Sequence, residues 1–126
     1  MSEKINAWLS QALHDLNAAK INFSNQLYDI SLYLCEQAVE KLLKTYYIKK
    51  FAKEPPKTHN LDVLLETLEL THELKDFSSM IDQYYFTIRY PSQDNVAPFT
   101  MVNADDARRG LDAAEAIFKK LQKELP

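Results

Sequence analysis

The sequence of 126 residues contains one glycine and one cysteine, and both shortages exclude classes of protein. A sheet protein needs glycine in its tight turns, and a phosphate-cradling loop is rich in it, so a single Gly110 argues against both. The lone Cys35 cannot form an internal disulfide, and its apolar surroundings predict a buried thiol in a cytoplasmic protein. We therefore expect an all-α chain that forms one domain over residues 1–126.

The sequence also lacks a long apolar run and an excess of positive charge. Without about 18 consecutive apolar residues, we expect no membrane-spanning segment, and the N-terminus does not resemble a signal peptide. The formal net charge of -3 gives no overall attraction to nucleic acid. Six lysines nevertheless fall between Lys41 and Lys57, with only Glu40 and Glu54 beside them. This local excess suits either the C-terminal end of a helix or an anion site.

Hydrophobic periodicity predicts five helices, one of which organises the others. The stretch from Asp29 to Lys50 is apolar around most of its circumference, which is typical of a helix in the middle of a bundle. The first helix is predicted to run from a cap at Ser2 to Phe23, and the second from a cap at Asp29 to Phe51 or Ala52. The third is predicted to begin after a cap at Thr58 or Asn60, the fourth to end at Arg89 before Pro91, and the fifth to begin after a cap at Asn103. The expected fold is a five-helix up-and-down antiparallel bundle.

Two features interrupt this pattern. Gly110 stands in the middle of the last helix at a cost of about 1 kcal/mol relative to alanine, which suggests that another helix approaches closely there. Residues 91–102 have two prolines and no periodicity. A loop of this length in a compact domain is usually functional or disordered.

Common catalytic and metal-binding motifs are absent from the sequence. On the central helix, Val39 follows three residues after Glu36 and Leu43 three after Glu40, so neither glutamate begins a Glu-x-x-His pair. No serine elbow or Cys/His pairing occurs at a recognised spacing, so we predict no metal and no cofactor. A site would have to use basic, imidazole and phenol groups. The residues selected on that ground are Arg89, Tyr90, Tyr85, Lys41, Lys44 and His59. Glu40 and Gln37, on the central helix, are expected to be structural or pairing residues, and Glu40 can pair with Lys44 for about 0.3 kcal/mol.

Three segments occur in an order that resembles one known family. They are QAVEKLLK at residues 37–44, THNL at 58–61 and RYP at 89–91. Over nearly the whole chain, from Trp8 to the last helix, the sequence is similar to the HEPN domain (higher eukaryotes and prokaryotes nucleotide-binding). The resemblance implies a five-helix bundle that commonly forms a homodimer. In bacteria or archaea such proteins are often encoded beside a minimal nucleotidyltransferase.

The ribonuclease signature of that family is incomplete here. Many HEPN proteins are metal-independent ribonucleases, some of them toxins, with an arginine followed a few residues later by a histidine. Arg89 stands at a comparable helix end, but Asp94, Asn95 and Val96 occupy the places of the histidine. The resemblance therefore implies that Arg89 holds a phosphate, for which its planar fork is suited, and it favours binding over catalysis.

Three functions stay open from the sequence. A binding module would hold a nucleotide or RNA phosphate with Arg89, Tyr90, Lys44 and His59, and would act with a nucleotidyltransferase in a toxin–antitoxin or regulatory pair. A ribonuclease would use His59 as a non-standard acid or base. A structural dimeric module would use Arg89 only to pair with an acid such as Glu40. We expect the first.

Overall fold

Helices make up most of the computed structural model, which describes residues 2–125. Five α-helices follow one another, and no strand occurs within that range. Their bounds are α1 Ser2–Ser24, α2 Tyr28–Phe51, α3 Leu61–Thr67, α4 Thr71–Asp82 and α5 Ala104–Leu121. Short 3-10 turns at Pro98–Thr100 and Gln122–Glu124 precede and follow α5. The prediction of an all-α fold with five helices is confirmed.

The second helix runs through the middle of the bundle and contacts each of the other four helices. Its apolar residues are buried on several sides, as the absence of a single apolar stripe predicts. The fully buried ones are Leu32, Cys35, Ala38, Val39, Leu42, Leu43 and Ile48. α1 precedes it across a short turn, so the two helices are antiparallel neighbours.

The start of α2 differs in detail from the prediction that Asp29 caps it. The helix begins one residue earlier, at Tyr28, and the cap position is Leu27, which offers no side-chain hydrogen bond. Gln26, with φ of 65°, reverses the chain just before it. Asp29 lies in the first turn, where its charge still complements the helix dipole. The predicted end is confirmed, since the last helical residue is Phe51.

The third helix is capped by Asn60, one of the two predicted caps. The Asn60 Oδ1 accepts hydrogen bonds from the backbone N–H groups of Asp62 and Val63, while the Thr58 hydroxyl accepts from the Asn60 N–H. These bonds fix the short segment between α2 and α3. The side chains of residues 58–60 are thereby held at the edge of the bundle.

The fourth helix ends at Asp82, seven residues earlier than the predicted end at Arg89. Beyond Asp82 the chain continues as turns, and the N–H groups of Tyr84 and Tyr85 donate to carbonyls three residues back instead of four. Aromatic and β-branched residues dominate residues 84–88, and they favour a regular helix less than straight side chains do. Arg89 therefore lies on an irregular segment, which we call the post-α4 turns (residues 83–90).

The last helix follows the predicted cap, Asn103. Asn103 and Asp106 form a capping box, in which each side chain accepts a hydrogen bond from the backbone N–H of the other. Gly110 is buried, and a Cβ at this position would collide with the side chain of Leu32 on α2. The expectation of a close approach by another helix at Gly110 is confirmed.

Candidate functional site

Three charged residues of α2 are buried on one side of the helix. Glu36, Glu40 and Lys44 are four residues apart, a spacing that places them on one face. Each is at most 6% exposed. A charge is tolerated at such depth only when it is paired and hydrogen-bonded. The partners of these residues therefore determine the chemistry of this face.

Glu36 pairs with Arg89, which reaches it from the post-α4 turns. The Arg89 Nη1 donates to Glu36 Oε2 at 2.7 Å and to the Tyr85 carbonyl oxygen at 3.0 Å. Burial raises the pKa of Glu36 from 4.5 to about 7, although the hydrogen bond and charge of Arg89 act in the opposite direction. Glu36 thus changes its charge near neutral pH while it remains inside the protein.

The Arg89 guanidinium is held between aromatic rings but keeps unused donors. Its Cζ lies 3.8 Å from the ring centroid of Tyr85 and 5.1 Å from that of Tyr33, within the range of cation–π attraction. Neither Nη2 nor Nε donates to any described residue. No buried side-chain nitrogen or oxygen in residues 2–125 lacks a partner, so these unused donors must reach solvent. The side chain is 18% exposed.

Glu40 holds two partners, and one of them faces solvent. Lys44 Nζ donates to Glu40 Oε2 at 3.0 Å, and the same lysine lies 5.8 Å from the ring centroid of Trp8. The His59 Nδ1 lies 3.1 Å from Glu40 Oε1 and 3.2 Å from Oε2. Because the His59 side chain is 72% exposed, the carboxylate fixes one ring nitrogen and leaves Nε2 toward solvent.

A cleft of about 390 Å³ opens beside these pairs. It lies between the segment before α3 and the post-α4 turns, and its lining residues are Thr58, His59, Asn60, Asp82, Tyr85 and Phe86. Its volume is within the range of small-molecule sites. Phe86 is 72% exposed and meets Tyr85 edge-to-face, with ring centroids 5.2 Å apart. Burial and the charge of Asp62 raise the pKa of Asp82.

The structure brings some of the predicted site residues together and separates others. Tyr85 and His59 line the cleft, and Arg89 lies behind Tyr85, whose carbonyl oxygen and ring it contacts. Tyr90 is 58% exposed and lines a neighbouring groove of about 280 Å³ that shares Phe86. Gln37 is half-buried and makes no side-chain hydrogen bond to a described residue.

The lysines selected from the sequence lie in ion pairs. Lys41 pairs with Asp15 of α1, and Gln11 donates to the same carboxylate at 2.9 Å. Lys44 lies inside the bundle against Glu40. The basic stretch from Lys41 to Lys57 is therefore less positive at the protein surface than its sequence indicates. The hypothesis of a purely structural pair between Arg89 and Glu40 names the wrong acid, because the acidic partner of Arg89 is Glu36.

Two residues of the site were missed by sequence reasoning. Glu36 could have been found, because it precedes Glu40 by one helical turn and therefore shares the face of Glu40 and Lys44. Asp82 could not, since the predicted helix continues through it to Arg89. Asp82 is the last residue of α4 and lines the cleft, and no pattern in the sequence marks it.

Other chemistry is not apparent in the part of the chain that the structure describes. No group of three or more His, Cys, Asp or Glu residues there is arranged to hold a metal ion. None of the helices within residues 2–125 combines the length and apolarity needed to cross a bilayer. Cys35 is buried, and burial raises the pKa of its thiol to about 12, so it is not poised as a nucleophile.

Comparison with known proteins gives one family and two similar structures. The family model of the HEPN domain matches residues 5–125. The crystal structure of TT1696 from Thermus thermophilus superposes with a TM-score of 0.86 at 24% identity, over 99% of this chain and 100% of that one. The crystal structure of ST0689, an archaeal HEPN homologue, superposes with a TM-score of 0.80 at 22% identity, over 97% of this chain and 98% of that one. No curated protein sequence matches the chain.

Proposed function

This chain belongs to the HEPN domain family, and we propose that it binds a phosphate group of a nucleotide or of RNA at the cleft. The observation that carries the proposal is the state of Arg89. One nitrogen of its guanidinium is anchored to Glu36 and to the backbone, while the donors on Nη2 and Nε remain without a partner among residues 2–125. A guanidinium fixed in this way offers a pre-oriented pair of donors to a phosphate.

His59 supplies a second group for the same ligand. Its Nδ1 is held by Glu40 while the ring lines the cleft and stays largely exposed, so the position of the imidazole is set without any contribution from the ligand. The carboxylates that hold His59 and Arg89 lie one helical turn apart on α2. When both ring nitrogens of His59 carry a proton, Nδ1 donates to Glu40, and a phosphate would accept from Nε2 and from the free edge of Arg89.

The charges around the cleft limit the ligand to one of modest charge. Glu36, Glu40 and Asp82 are all close to the site, and Lys44 and Arg89 offset only part of their charge. A triphosphate would face repulsion from these carboxylates. We therefore expect a nucleoside monophosphate or a phosphodiester of single-stranded RNA, with the base against the exposed ring of Phe86 or the ring of Tyr85.

Calorimetry with nucleoside mono- and triphosphates and with a short RNA tests this proposal. We expect binding by the wild type and at least about a tenfold loss for Arg89→Lys, which keeps the charge but not the fork. Lys57→Ala is the matched control, because this exposed lysine lies near the cleft in sequence and outside its lining. No heat of binding for the wild type, or equal losses in both variants, would overturn the proposal.

A second function is favoured by the contact between His59 and Glu40. A carboxylate that holds Nδ1 of an exposed histidine is the arrangement that serves a general base. In RNA cleavage, His59 Nε2 would take the proton of a 2'-hydroxyl while that oxygen attacks the phosphorus. The bond from phosphorus to the 5'-oxygen would break, the leaving oxygen would gain a proton from water, and a 2',3'-cyclic phosphate would remain. Arg89 would offset the charge that develops on the phosphate.

Incubation of the protein with RNA in the presence of a chelator separates the two functions. Cleavage that yields 2',3'-cyclic ends in the wild type and is lost in His59→Gln would support a ribonuclease. Intact RNA together with measurable binding would leave the binding module. Any cleavage that persists in His59→Gln would exclude His59 as the base.

The proposed partners are a second copy of the chain and a minimal nucleotidyltransferase, as in a toxin–antitoxin or regulatory pair. Exposed apolar side chains near the site support an interface at this end of the bundle, namely Phe86, Tyr90, Phe99 and Met101. The mass of the protein in solution tests the homodimer. Co-purification with the product of a neighbouring reading frame tests the second partner.

A further inference from the structure

We propose that Asp82 makes the cleft selective for guanine, as a free nucleotide or within single-stranded RNA. The inference rests on the proposed function, since it names the base that accompanies the bound phosphate. It assigns a role to a carboxylate that neither the sequence motifs nor the family resemblance singles out.

Asp82 is a half-buried carboxylate without a partner among residues 2–125. It is the last residue of α4 and lines the cleft, yet it forms no hydrogen bond and no ion pair within the described chain. Lys75, whose charge lowers the pKa of Asp82, is engaged by Asp62 at 2.6 Å. The two buried carboxylates beside the cleft, Glu36 and Glu40, have cationic partners. Asp82 is therefore free to accept donors from a ligand.

Guanine is the base whose donors match a carboxylate. Its N1–H and one N2–H point in the same direction and can meet the two carboxylate oxygens, in the way that the fork of arginine does. Adenine presents its 6-amino donor beside N1, and the lone pair on N1 is repelled by a carboxylate. Cytosine offers a single amino donor beside an acceptor nitrogen, and uracil a lone N–H between two carbonyls. The carboxylate thus favours guanine over each of the other bases.

The surroundings of Asp82 supply the other contacts that a guanine nucleotide needs. Tyr85 and Phe86 follow it on the post-α4 turns and line the same cleft, where the ring of Phe86 is exposed and one face of Tyr85 is covered by Arg89. The cleft volume of about 390 Å³ suits a base with part of its ribose. Arg89 stacks on Tyr85, so its free donors lie beside the ring on which a base would stack. Base and phosphate contacts are therefore adjacent.

Calorimetry at about pH 8 tests the inference with GMP, IMP and AMP and with RNA pentamers that differ by a central G or A. An alkaline buffer is used because burial raises the pKa of Asp82 and a higher pH favours the carboxylate. Inosine keeps N1–H but lacks the 2-amino group. We expect GMP to bind about tenfold more tightly than IMP and about a hundredfold more tightly than AMP, because each hydrogen bond to the charged carboxylate accounts for about one factor of ten. Asp82→Asn should abolish this preference and leave AMP affinity similar. Asp76→Asn, an exposed acid on the same helix, is the control.

The outcomes distinguish the base selectivity of Asp82 from the phosphate binding proposed for the cleft. A guanine preference that disappears in Asp82→Asn and persists in Asp76→Asn supports the inference. Equal binding of GMP and AMP by the wild type overturns the base selectivity and leaves the phosphate site standing. A preference that survives Asp82→Asn removes Asp82 from the role. Absence of binding to every nucleotide and pentamer overturns the proposed function, and the inference with it. Preference for the pentamers over GMP would identify RNA as the source of the guanine.

Discussion

The side of α2 that faces α1 and α5 and the side that faces α3 and the post-α4 turns are built differently. On the first side, long regular helices cover α2, and the buried apolar cluster that fills the space continues to the leucines of α3 and α4. On the second side, α3 has 7 residues, and the chain after Asp82 is irregular. Here α2 presents Glu36, Glu40 and Lys44. The two sides share one helix but have different partners.

The difference teaches where this fold can carry polar chemistry. The long regular helices place mainly apolar side chains against α2, although the buried Asp15 of α1 pairs there with Lys41 and accepts from Gln11. The post-α4 turns and the capped segment before α3 instead bring Arg89 and His59 to the two glutamates. Because these partners come from short segments at the surface, each keeps part of its side chain in contact with solvent. Mutations on the two sides should therefore differ in kind.

The largest loss of stability is expected on the side of α2 that faces α1 and α5, which we call the packed side. Leu42→Ala should lower the free energy of unfolding by about 4 kcal/mol, because Leu42 is fully buried on the side of α2 opposite to Glu36 and Glu40, and the helices around it cannot close the cavity. Leu13→Ala on α1, where the side chain is 38% exposed, is the control and should cost less than about 1 kcal/mol. Urea unfolding measures both. Similar values for the two variants would contradict the distinction between a packed core and its surface.

The packed side is also the part that the sequence predicts best. Apolar spacing is repeated over many residues in α1, α2 and α5, so the helices, the central place of α2 and the close contact at Gly110 follow from it. On the other side, individual contacts decide the structure. The end of α4 depends on a balance between helix and turns in residues 83–90, and the choice of Glu36 over Glu40 by Arg89 depends on where those turns place the guanidinium. No periodic signal in the sequence carries such information.

A large effect is also expected on the side of α2 that faces α3 and the post-α4 turns, which we call the open side, when the partner of a buried glutamate is removed. Arg89→Leu should destabilise the protein by about 3 kcal/mol near pH 8, because Glu36 remains buried without its counter-charge. The loss should shrink near pH 5, where Glu36 can take up a proton in the folded state. The double variant Glu36→Leu with Arg89→Leu should recover most of the stability. A single variant as stable as the wild type at both pH values would show that the pair is not buried in solution.

A smaller effect is expected from pH alone. The pKa of Glu36 is raised in the folded state from 4.5 to about 7, so between these values the folded chain holds a proton that the unfolded chain has lost. Stability contributed by this group should therefore fall as pH rises through that window, by on the order of 2 kcal/mol. Below the window both states are protonated, and above it the cost stays constant. Urea unfolding of the wild type and Glu36→Gln across pH 5 to about 8 should show this fall only in the wild type.

The smallest effect on stability is expected at His59, together with a large effect on binding. His59→Asn should change the free energy of unfolding by less than about 0.5 kcal/mol, because the imidazole is 72% exposed and Glu40 keeps its bond to Lys44 at 3.0 Å. Phosphate binding should nevertheless weaken by about tenfold, since the donor fixed over the cleft is lost. Thermal unfolding and calorimetry on the same preparation measure both. A variant that loses stability and keeps its binding would reverse the assignment, because His59 would then serve to close the bundle over Glu40, and the open side would differ from the packed side only in polarity.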